Sequence, residues 1–309
     1  MADAAPPLCS VIVCSLNGAR VLPACLKSVL ASRGPGEDAR GVGFEAIVVD
    51  NGSTDGTGEL VRRDFPAVRL VASERNLGFA GGNNLGIRAA RGEILILLND
   101  DTEVPPEWLG RLAAPFAHDP RIGAAGCKLL YPDGKTIQHA GGILLANANT
   151  SHIGYGEEDR GQWDSPGERA YVTGAALALR RAALVQVGLL DPAFFPIYFE
   201  EVDIQTRLAR AGWKIWYEPS AWLIHFESQS QGVASARFVF RYTRNRMRYL
   251  ALHGFRQGWW AAVRDERRWW RDAWRANRFK TVLRAYVAAL AQWPLWRHDR
   301  QARRSVPKL

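Results

Sequence analysis

The sequence predicts an α/β domain on a mostly parallel, helix-flanked sheet, followed by a basic, tryptophan-rich helical segment. Three observations predict this. Short β-branched runs alternate with helical patterns through the first two thirds of the chain. The run Ile94–Leu98 is apolar at every position, as a strand buried on both faces must be. Charge also changes sign along the chain: residues 232–309 hold 19 Lys+Arg against 4 Asp+Glu, whereas the first 231 hold 21 against 27. The same segment carries seven of the twelve tryptophans, so a boundary is expected near Gly232, dividing a domain over 1–231 from a tail over 232–309.

The elements follow in order. Leu8–Val13 reads as the first strand; Asn17 and Gly18 break it, and a helical pattern continues through Val21, Cys25, Ser28 and Val29. Glu45–Val49 is a second strand, ending on Asp50-Asn51-Gly52-Ser53 ahead of a helix over Thr57–Asp64. Val68–Ala72 is a third and Ile94–Leu98 a fourth, with the glycine-rich Asn76–Asn84 leading into a helix between them. A helix is expected near Pro105–His118 and another from Phe199–Ile204 to about Ala211, before an apolar strand carrying His225.

Length and composition set outer limits. A chain of 309 residues, 47% hydrophobic, accommodates one large α/β domain plus an appendage and is not of a disordered type. No uninterrupted apolar stretch reaches the ~18 residues of a membrane span. Met1–Pro7 has no basic region of a secretory signal. Cys9, Cys14, Cys25 and Cys127 stand singly in apolar patterns, as buried thiols do, and a cytoplasmic location is expected.

Ligands of parallel sheets bind at the carboxyl ends of the strands, so the polar residues that follow strands carry the chemistry. Asp50 can accept a hydrogen bond from a pyrimidine ring N–H or a ribose hydroxyl; the residues through Thr57 equally suit a turn and a helix cap. The glycines from Gly78 to Gly82 allow a ligand close to backbone N–H groups, although their spacing is neither that of a P-loop nor that of a dinucleotide fingerprint. Asp100 and Asp101 end a buried strand, and adjacent carboxylates there need compensation. A hard divalent cation bridging to a diphosphate supplies it; a solvated turn with Asp101 capping the next helix is the other reading. Glu200, Glu201 and Asp203 open a helix, where the helix dipole alone favours acids. One of them facing the cleft can take a proton from a hydroxyl, but adjacent residues do not share a helix face, so Glu200 and Glu201 cannot both do so. His225 follows an apolar strand, a place that suits a structural histidine as well as a ligand.

Taken in order, these blocks resemble the family 2 glycosyltransferases of the GT-A fold, in particular the bacterial rhamnosyltransferase-like branch. The resemblance covers about Ser10–Ser228 and continues more weakly to about Leu252. It rests on Val11-Ile12-Val13 with Asn17, Val48–Asp55, Asn76–Asn83, Leu98–Thr102, Thr173-Gly174-Ala175, Phe199–Asp203 and His225. It implies an inverting, metal-dependent transfer from a nucleotide sugar (dTDP-rhamnose or a UDP-sugar) to a saccharide or lipid-linked acceptor in cell-surface polysaccharide synthesis. By the same resemblance Asp50 reads the base, and Asn17, Asn76, Gly78, Asn83 and Asp100 belong to the nucleotide site. Asp101 holds Mg²⁺ or Mn²⁺ and His225 completes that site. Asn99 stands where most of the family has the first acid of its metal motif. Glu201 is the general base, where relatives often carry Asp, and Thr173, Gly174 and Glu200 lie along the sugar and acceptor.

A non-catalytic carbohydrate- or membrane-binding scaffold of the same fold is the alternative, and intact Asp101, Glu201 and His225 speak against it. Nucleic acid is not an expected partner, since only the basic tail would favour it. In that tail Arg237, Arg241, Arg244, Arg246 and Arg248 precede a helix on which Trp259, Trp260, Val263, Trp270 and Trp274 share one side. Peripheral attachment to anionic lipid at the inner face of the cell membrane is expected from this pattern. The competing reading packs those tryptophans onto the catalytic domain or a second subunit.

Overall fold

The computed structural model describes residues 9–33, 43–226, 235–255 and 258–302. The first half alternates as expected: β1 (Cys9–Ser15), α1 (Leu22–Leu30), β2 (Phe44–Asn51), α2 (Thr57–Asp64), β3 (Arg69–Ser73), α3 (Gly78–Ala89) and β4 (Ile94–Asn99). Then come β5 (Thr102–Glu103), α4 (Trp108–His118), β6 (Ile122–Leu130), β7 (Ile137–His139), β8 (Gly142–Leu144), β9 (Thr150–His152) and β10 (Gly167–Glu168). The domain closes with β11 (Ala176–Arg180), α5 (Arg181–Val187), α6 (Glu200–Arg210) and β12 (Lys214–His225). Three further helices follow: α7 (Ala236–His253), α8 (Trp259–Arg275) and α9 (Phe279–Ala302).

The main sheet runs β10-β12-β6-β11-β4-β1-β2-β3, with β5 on β12 and β7 on β6. Strands β3, β2, β1 and β4 are mutually parallel, and so are β6 and β12; β11 runs against both β4 and β6. The order reverses between β1 and β4, which opens a crevice at their carboxyl ends. Both faces of these strands are covered. Val11, Val13, Ile96 and Leu98 pack with Leu22, Leu26, Trp108 and Leu112 on one side. Ile12, Leu95 and Leu97 pack with Ile87, Leu184, Ile204 and Leu208 on the other. The period of two along each strand thus serves two cores.

The glycine-rich segment departs from expectation, because its glycines lie inside α3 rather than ahead of it. A Cβ on Gly86 would stand 2.4 Å from Ile12 Cγ2, and one on Gly82 would stand 2.3 Å from Cys14 Sγ. These two glycines let the helix settle against the sheet, which is a packing role. All four cysteines are free, and burial pushes each thiol up to about 12.

The expected boundary at Gly232 lies outside the described residues. Beyond it, α7 packs onto the sheet-bearing region: Tyr249, Leu250 and Leu252 share a cluster with Phe194, Phe199 and Val202. Fully buried Asp203 of α6 receives His253 Nε2 of α7 at 2.7 Å and Arg207 Nε at 3.0 Å. The expectation that the α7 arginines form a surface patch is corrected for two of them. Arg246 is fully buried, paired with Glu266 at 2.7 Å and donating to Asn147 O and Tyr286 Oη; Arg248 is buried against Asp191. Nor do the α8 aromatics all share one exposed side, since Trp270 packs between Phe279 and Tyr286. Trp259, Trp260 and Trp274 are exposed. No described helix is long and apolar enough to cross a membrane.

Arg246 therefore joins α7, α8 and α9 through one guanidinium. Removing its partner leaves a buried charge without a counterion, so Glu266→Ala is expected to cost about 3 kcal/mol. Urea denaturation would show this as a lower midpoint at unchanged slope.

Candidate active site

Strand β4 delivers its last residue, Asn99, to the crevice, where Asn99 N donates to Ala175 O at 2.9 Å. The chain then turns at Asp100–Asp101, held by Thr102 Oγ1 donating to Asn99 O at 2.8 Å. The two-residue strand β5 pairs antiparallel with the end of β12, Thr102 opposite His225, and Phe226 N donates to Asp101 O at 2.9 Å. That register brings His225 Nε2 to 3.2 Å from Asp101 Oδ1. The other ring nitrogen, Nδ1, donates to Gln138 Oε1 at 2.5 Å, while Asn99 Nδ2 approaches Nε2 at 3.3 Å. A proton on Nδ1 would leave the Nε2 lone pair facing the Asp101 carboxylate. Two acceptors at this spacing fit adjacent positions on a hard divalent cation, where bonds of ~2.1 Å set neighbouring ligands about 3 Å apart. Among the described residues no group of three or more His, Cys, Asp or Glu is arranged to hold a metal.

Asp100 turns the other way and accepts from Ser15 Oγ of β1 at 2.5 Å. Burial pushes its carboxyl up to about 6; the Ser15 hydrogen bond opposes the rise and the charge of Asp101 adds to it. The loop after β1 is fastened to the loop after β2. Asn17, in the left-handed region at φ 55°, accepts from Thr54 N at 2.9 Å, and its own N–H reaches Ser53 Oγ at 2.9 Å. Asp50 Oδ1 accepts from Ser53 N at 2.9 Å, and its Oδ2 sits where a Cβ on Gly58 would come within 2.6 Å. Asn17, Asp50 and Asp100 thus gather at the carboxyl ends of β1, β2 and β4. Asn76 and Gly78 stand at the start of α3, with Asn76 Oδ1 accepting from Gly78 N at 2.7 Å and buried Asn51 donating to Gly78 O. Asn83 is almost fully buried, and its amide donates to Phe79 O at 2.9 Å within α3.

Glu201 stands in the first turn of α6, which begins after two residues of positive φ, Tyr198 (87°) and Phe199 (77°). Two consecutive non-glycine residues in that region store backbone strain that the surroundings must hold. Gln205, one turn on, supplies a clamp: Oε1 accepts from Val172 N at 2.7 Å and Nε2 donates to Val172 O at 2.8 Å. This fixes α6 against the strip Val172–Gly174. A Cβ on Gly174 would lie 3.2 Å from Phe79 Cζ and 3.4 Å from Glu201 Cβ, so the glycine keeps that approach open. Thr173 N donates to His139 Nε2 at 3.2 Å, and burial holds His139 well below the usual imidazole range, hence neutral.

Glu200 and Glu201 each have a buried Oε2 with no hydrogen-bond partner among the described residues. Burial raises the Glu201 carboxyl above the usual range against backbone N–H bonds that lower it; burial, with the charge of Glu201 added, drives Glu200 well above. Adjacency on the helix separates their directions, and it is Glu201 that borders Gly174. The sequence reading passed over Ser15, Gln138, His139 and Gln205. Only the polar pair Gln138-His139 between Ile137 and Ala140 offered a signal.

The sequence profile described as Glycosyl transferase family 2 matches residues 10–186. The chain belongs to glycosyl transferase family 2. An N-acetylglucosaminyl-diphospho-decaprenol L-rhamnosyltransferase of Mycobacterium tuberculosis is 31% identical over 239 residues, 70% of this chain and 76% of that relative. An uncharacterized protein of Sinorhizobium fredii, y4gI, is 34% identical over 73% of this chain, which spans only 25% of that relative's length. Among solved structures, GalNAc-T7 with UDP, GalNAc and Mn²⁺ superposes at a TM-score of 0.61 with 18% identity, over 81% of this chain and 48% of its own. The mannosyltransferase PcManGT of Pyrobaculum calidifontis, in complex with GDP-Man and Mn²⁺, gives 0.53 with 19% identity over 93% and 76%. The fold is GT-A. Within this family 2 chain, Glu201 and His225 lie beyond the profile match and are placed by α6 and β12.

The raised Glu200 carboxyl has a consequence for stability. The folded state holds the proton above the pH at which the unfolded chain releases it, so Glu200 costs folding free energy progressively as pH rises from about 4. Glu200→Gln is expected to raise the thermal midpoint at pH 8, with the gain shrinking toward zero at pH 4. Thermal unfolding of both proteins across that range checks the sign.

Proposed function

We propose that this family 2 glycosyltransferase moves a sugar from a nucleoside-diphosphate donor to a hydroxyl of a saccharide or lipid-linked acceptor, with inversion at the anomeric carbon. The observation that carries the reading is the pairing of Asp101 Oδ1 with His225 Nε2 at 3.2 Å, across the crevice end of β4. These two residues would hold Mg²⁺ or Mn²⁺, and the donor diphosphate and water would complete the coordination. When bound, the cation offsets charge on the leaving diphosphate. Neighbours with the same fold were crystallised with Mn²⁺ and nucleotide or nucleotide sugar, which supports a divalent ion here. Asp50, Asn17 and Asp100 would line the nucleotide, with Asn76, Gly78 and Asn83 supporting that wall.

Glu201 would accept the acceptor hydroxyl proton while that oxygen attacks the anomeric carbon from the face opposite the diphosphate. The bond from the anomeric carbon to the phosphate oxygen breaks in the same displacement, and the nucleoside diphosphate leaves. A single displacement needs one carboxylate base and no second nucleophilic carboxylate. A carboxyl raised by burial is a stronger base once ionised than a solvated one. The donor is dTDP-rhamnose or a UDP-sugar. The mycobacterial relative, named for rhamnosyl transfer to a diphospho-decaprenol acceptor, supports the first sugar and a lipid-linked acceptor. An O-antigen biosynthesis protein of Myxococcus xanthus, 32% identical over 61% of this chain, supports a role in surface polysaccharide.

Glu201→Gln is expected to lower turnover by about 10²-fold or more at unchanged donor binding, and to remove the acidic limb of the pH–rate profile. Asp101→Asn and chelator should each abolish transfer and weaken nucleotide-sugar binding. Radiolabelled transfer with a panel of nucleotide sugars decides these points, and full activity in excess chelator overturns the metal reading.

A lipid-linked acceptor makes attachment at the inner face of the cell membrane useful, and the tail supports it. On α8, Trp260, Arg264, Arg267, Arg271 and Trp274 recur at helical spacing and are all exposed, the two tryptophans at 79% and 70%. Trp274 meets Phe279 edge-on at 5.4 Å, which joins this ridge to exposed Leu283, Val287 and Leu290 on α9. Tryptophan rests at headgroup depth, and each arginine near anionic lipid adds about 1 kcal/mol. Sedimentation with phosphatidylglycerol vesicles should carry the protein down at low salt and release it at high salt. Equal binding to neutral vesicles, or none at low salt, overturns the electrostatic anchor.

A further inference from the structure

We propose that Gln138 is a positioning residue for the metal site, holding His225 in the tautomer whose Nε2 faces Asp101. The inference rests on the reading of Asp101 and His225 as metal ligands and adds the group that makes His225 fit for that role.

Strand β7 does not pair evenly with β6. His139 lies opposite Leu129 and Ile137 opposite Leu130, so two neighbours on β6 face three residues on β7 and Gln138 is the extra one. A bulge of this kind re-aims a side chain and lets consecutive residues serve the same region. Here it sends Gln138 to the His225 ring while His139 accepts from Thr173 N on the glycine strip. Gln138 is 5% exposed, and its Oε1 lies 2.5 Å from His225 Nδ1. An amide oxygen can only accept, so this contact calls for a proton on Nδ1. Asn99 Nδ2 approaches Nε2 at 3.3 Å, and an amide N–H can only donate there. Both contacts select the same tautomer from opposite sides of the ring, against the Asp101 carboxylate at 3.2 Å, which by itself would draw a proton to Nε2. A neutral imidazole with its proton on Nε2 would point a hydrogen at the place a cation must occupy. A partner on the remote nitrogen is the usual means of fixing a metal-binding imidazole, and its loss typically weakens metal affinity 10–100-fold.

The test compares the wild type with Gln138→Met, which keeps size and loses the acceptor, and Gln138→Glu, which keeps an acceptor oxygen. Gln138→Asn, which withdraws the amide by one methylene, stands in if Gln138→Met does not fold. The first readout is the two-bond ¹⁵N spectrum of metal-free protein at pH 8, with the His225 signal assigned by its loss in His225→Gln. The wild type and Gln138→Glu should show the proton on Nδ1, and Gln138→Met a shift of population to Nε2. The second is Mn²⁺ uptake in the presence of UDP or dTDP, followed by the electron paramagnetic resonance of free Mn²⁺. Gln138→Met should weaken uptake 10–100-fold, with Gln138→Glu restoring it and metal-free melting unchanged. An unchanged tautomer in Gln138→Met, or a shifted tautomer with undiminished Mn²⁺ affinity, overturns the proposal. Absence of Mn²⁺ uptake by the wild type would instead sink the metal reading, and the tautomer spectra would still decide what Gln138 does.

Discussion

Strand β4 is buried on both faces and hydrogen-bonded along both edges, to β1 and to β11, so no charged group fits within it. Every polar residue it carries must come after Leu98, at the crevice. This constraint organises the site. Asp100 and Asp101 emerge side by side, where their charges repel, and the neighbouring strands separate them. Ser15 at the end of β1 takes Asp100, and β12, brought in by the two-residue β5, sets His225 beside Asp101. The same strand end donates to Ala175 and so fixes the approach of the strip that borders Glu201.

The site stores more acidity than its own cations offset. Asp100, Glu200 and Glu201 are all raised, burial being the first cause of each. Burying carboxyl groups without counterions opposes folding, and the backbone strain at Tyr198–Phe199 adds to it. Elsewhere the chain satisfies its buried charges: Asp203 lies between Arg207 and His253, Lys128 between Asp159 and Asp164, Arg246 against Glu266. The contrast places the unbalanced charge at the crevice and beside the glycine strip, where the proposed reaction would handle a cation and a proton. It follows the general rule that functional sites lower stability and the scaffold compensates.

The basic tail divides by depth. Its first helix, α7, is part of the catalytic domain's packing, tied to α6 through Asp203–His253 and through the hydroxyls of Thr206 and Tyr249. Trp269, Trp270, Trp293 and Trp296 pack among the three helices, while Trp259, Trp260 and Trp274 remain exposed. Composition changes near Gly232, but α7 continues the packing of the domain. Arginine count registers charge, and charge says nothing of which guanidinium is buried against a carboxylate.

The sequence by itself determined the strand–helix alternation, the two-sided burial of β4 and the order of the acid-bearing turns. Apolar periodicity is local, and residues after a buried strand have nowhere to go but its end. Helix α2 runs over Thr57–Asp64 as its pattern indicates, and Asp101, Glu201 and His225 could be singled out before any partner was known. The rest was decided by contacts distant in sequence. Gly82 and Gly86 of α3 clear space for Cys14 and Ile12, far off along the chain, and no local pattern shows that. Arg246 read as surface charge until Glu266 met it. Gln138, His139 and Gln205 carry no periodic signal, since each acts through one hydrogen bond or two to a group 33 or more residues away. Such contacts depend on register, on a bulge and on the seating of one helix. Those are properties of the assembled sheet, and they exist only once the strands have paired.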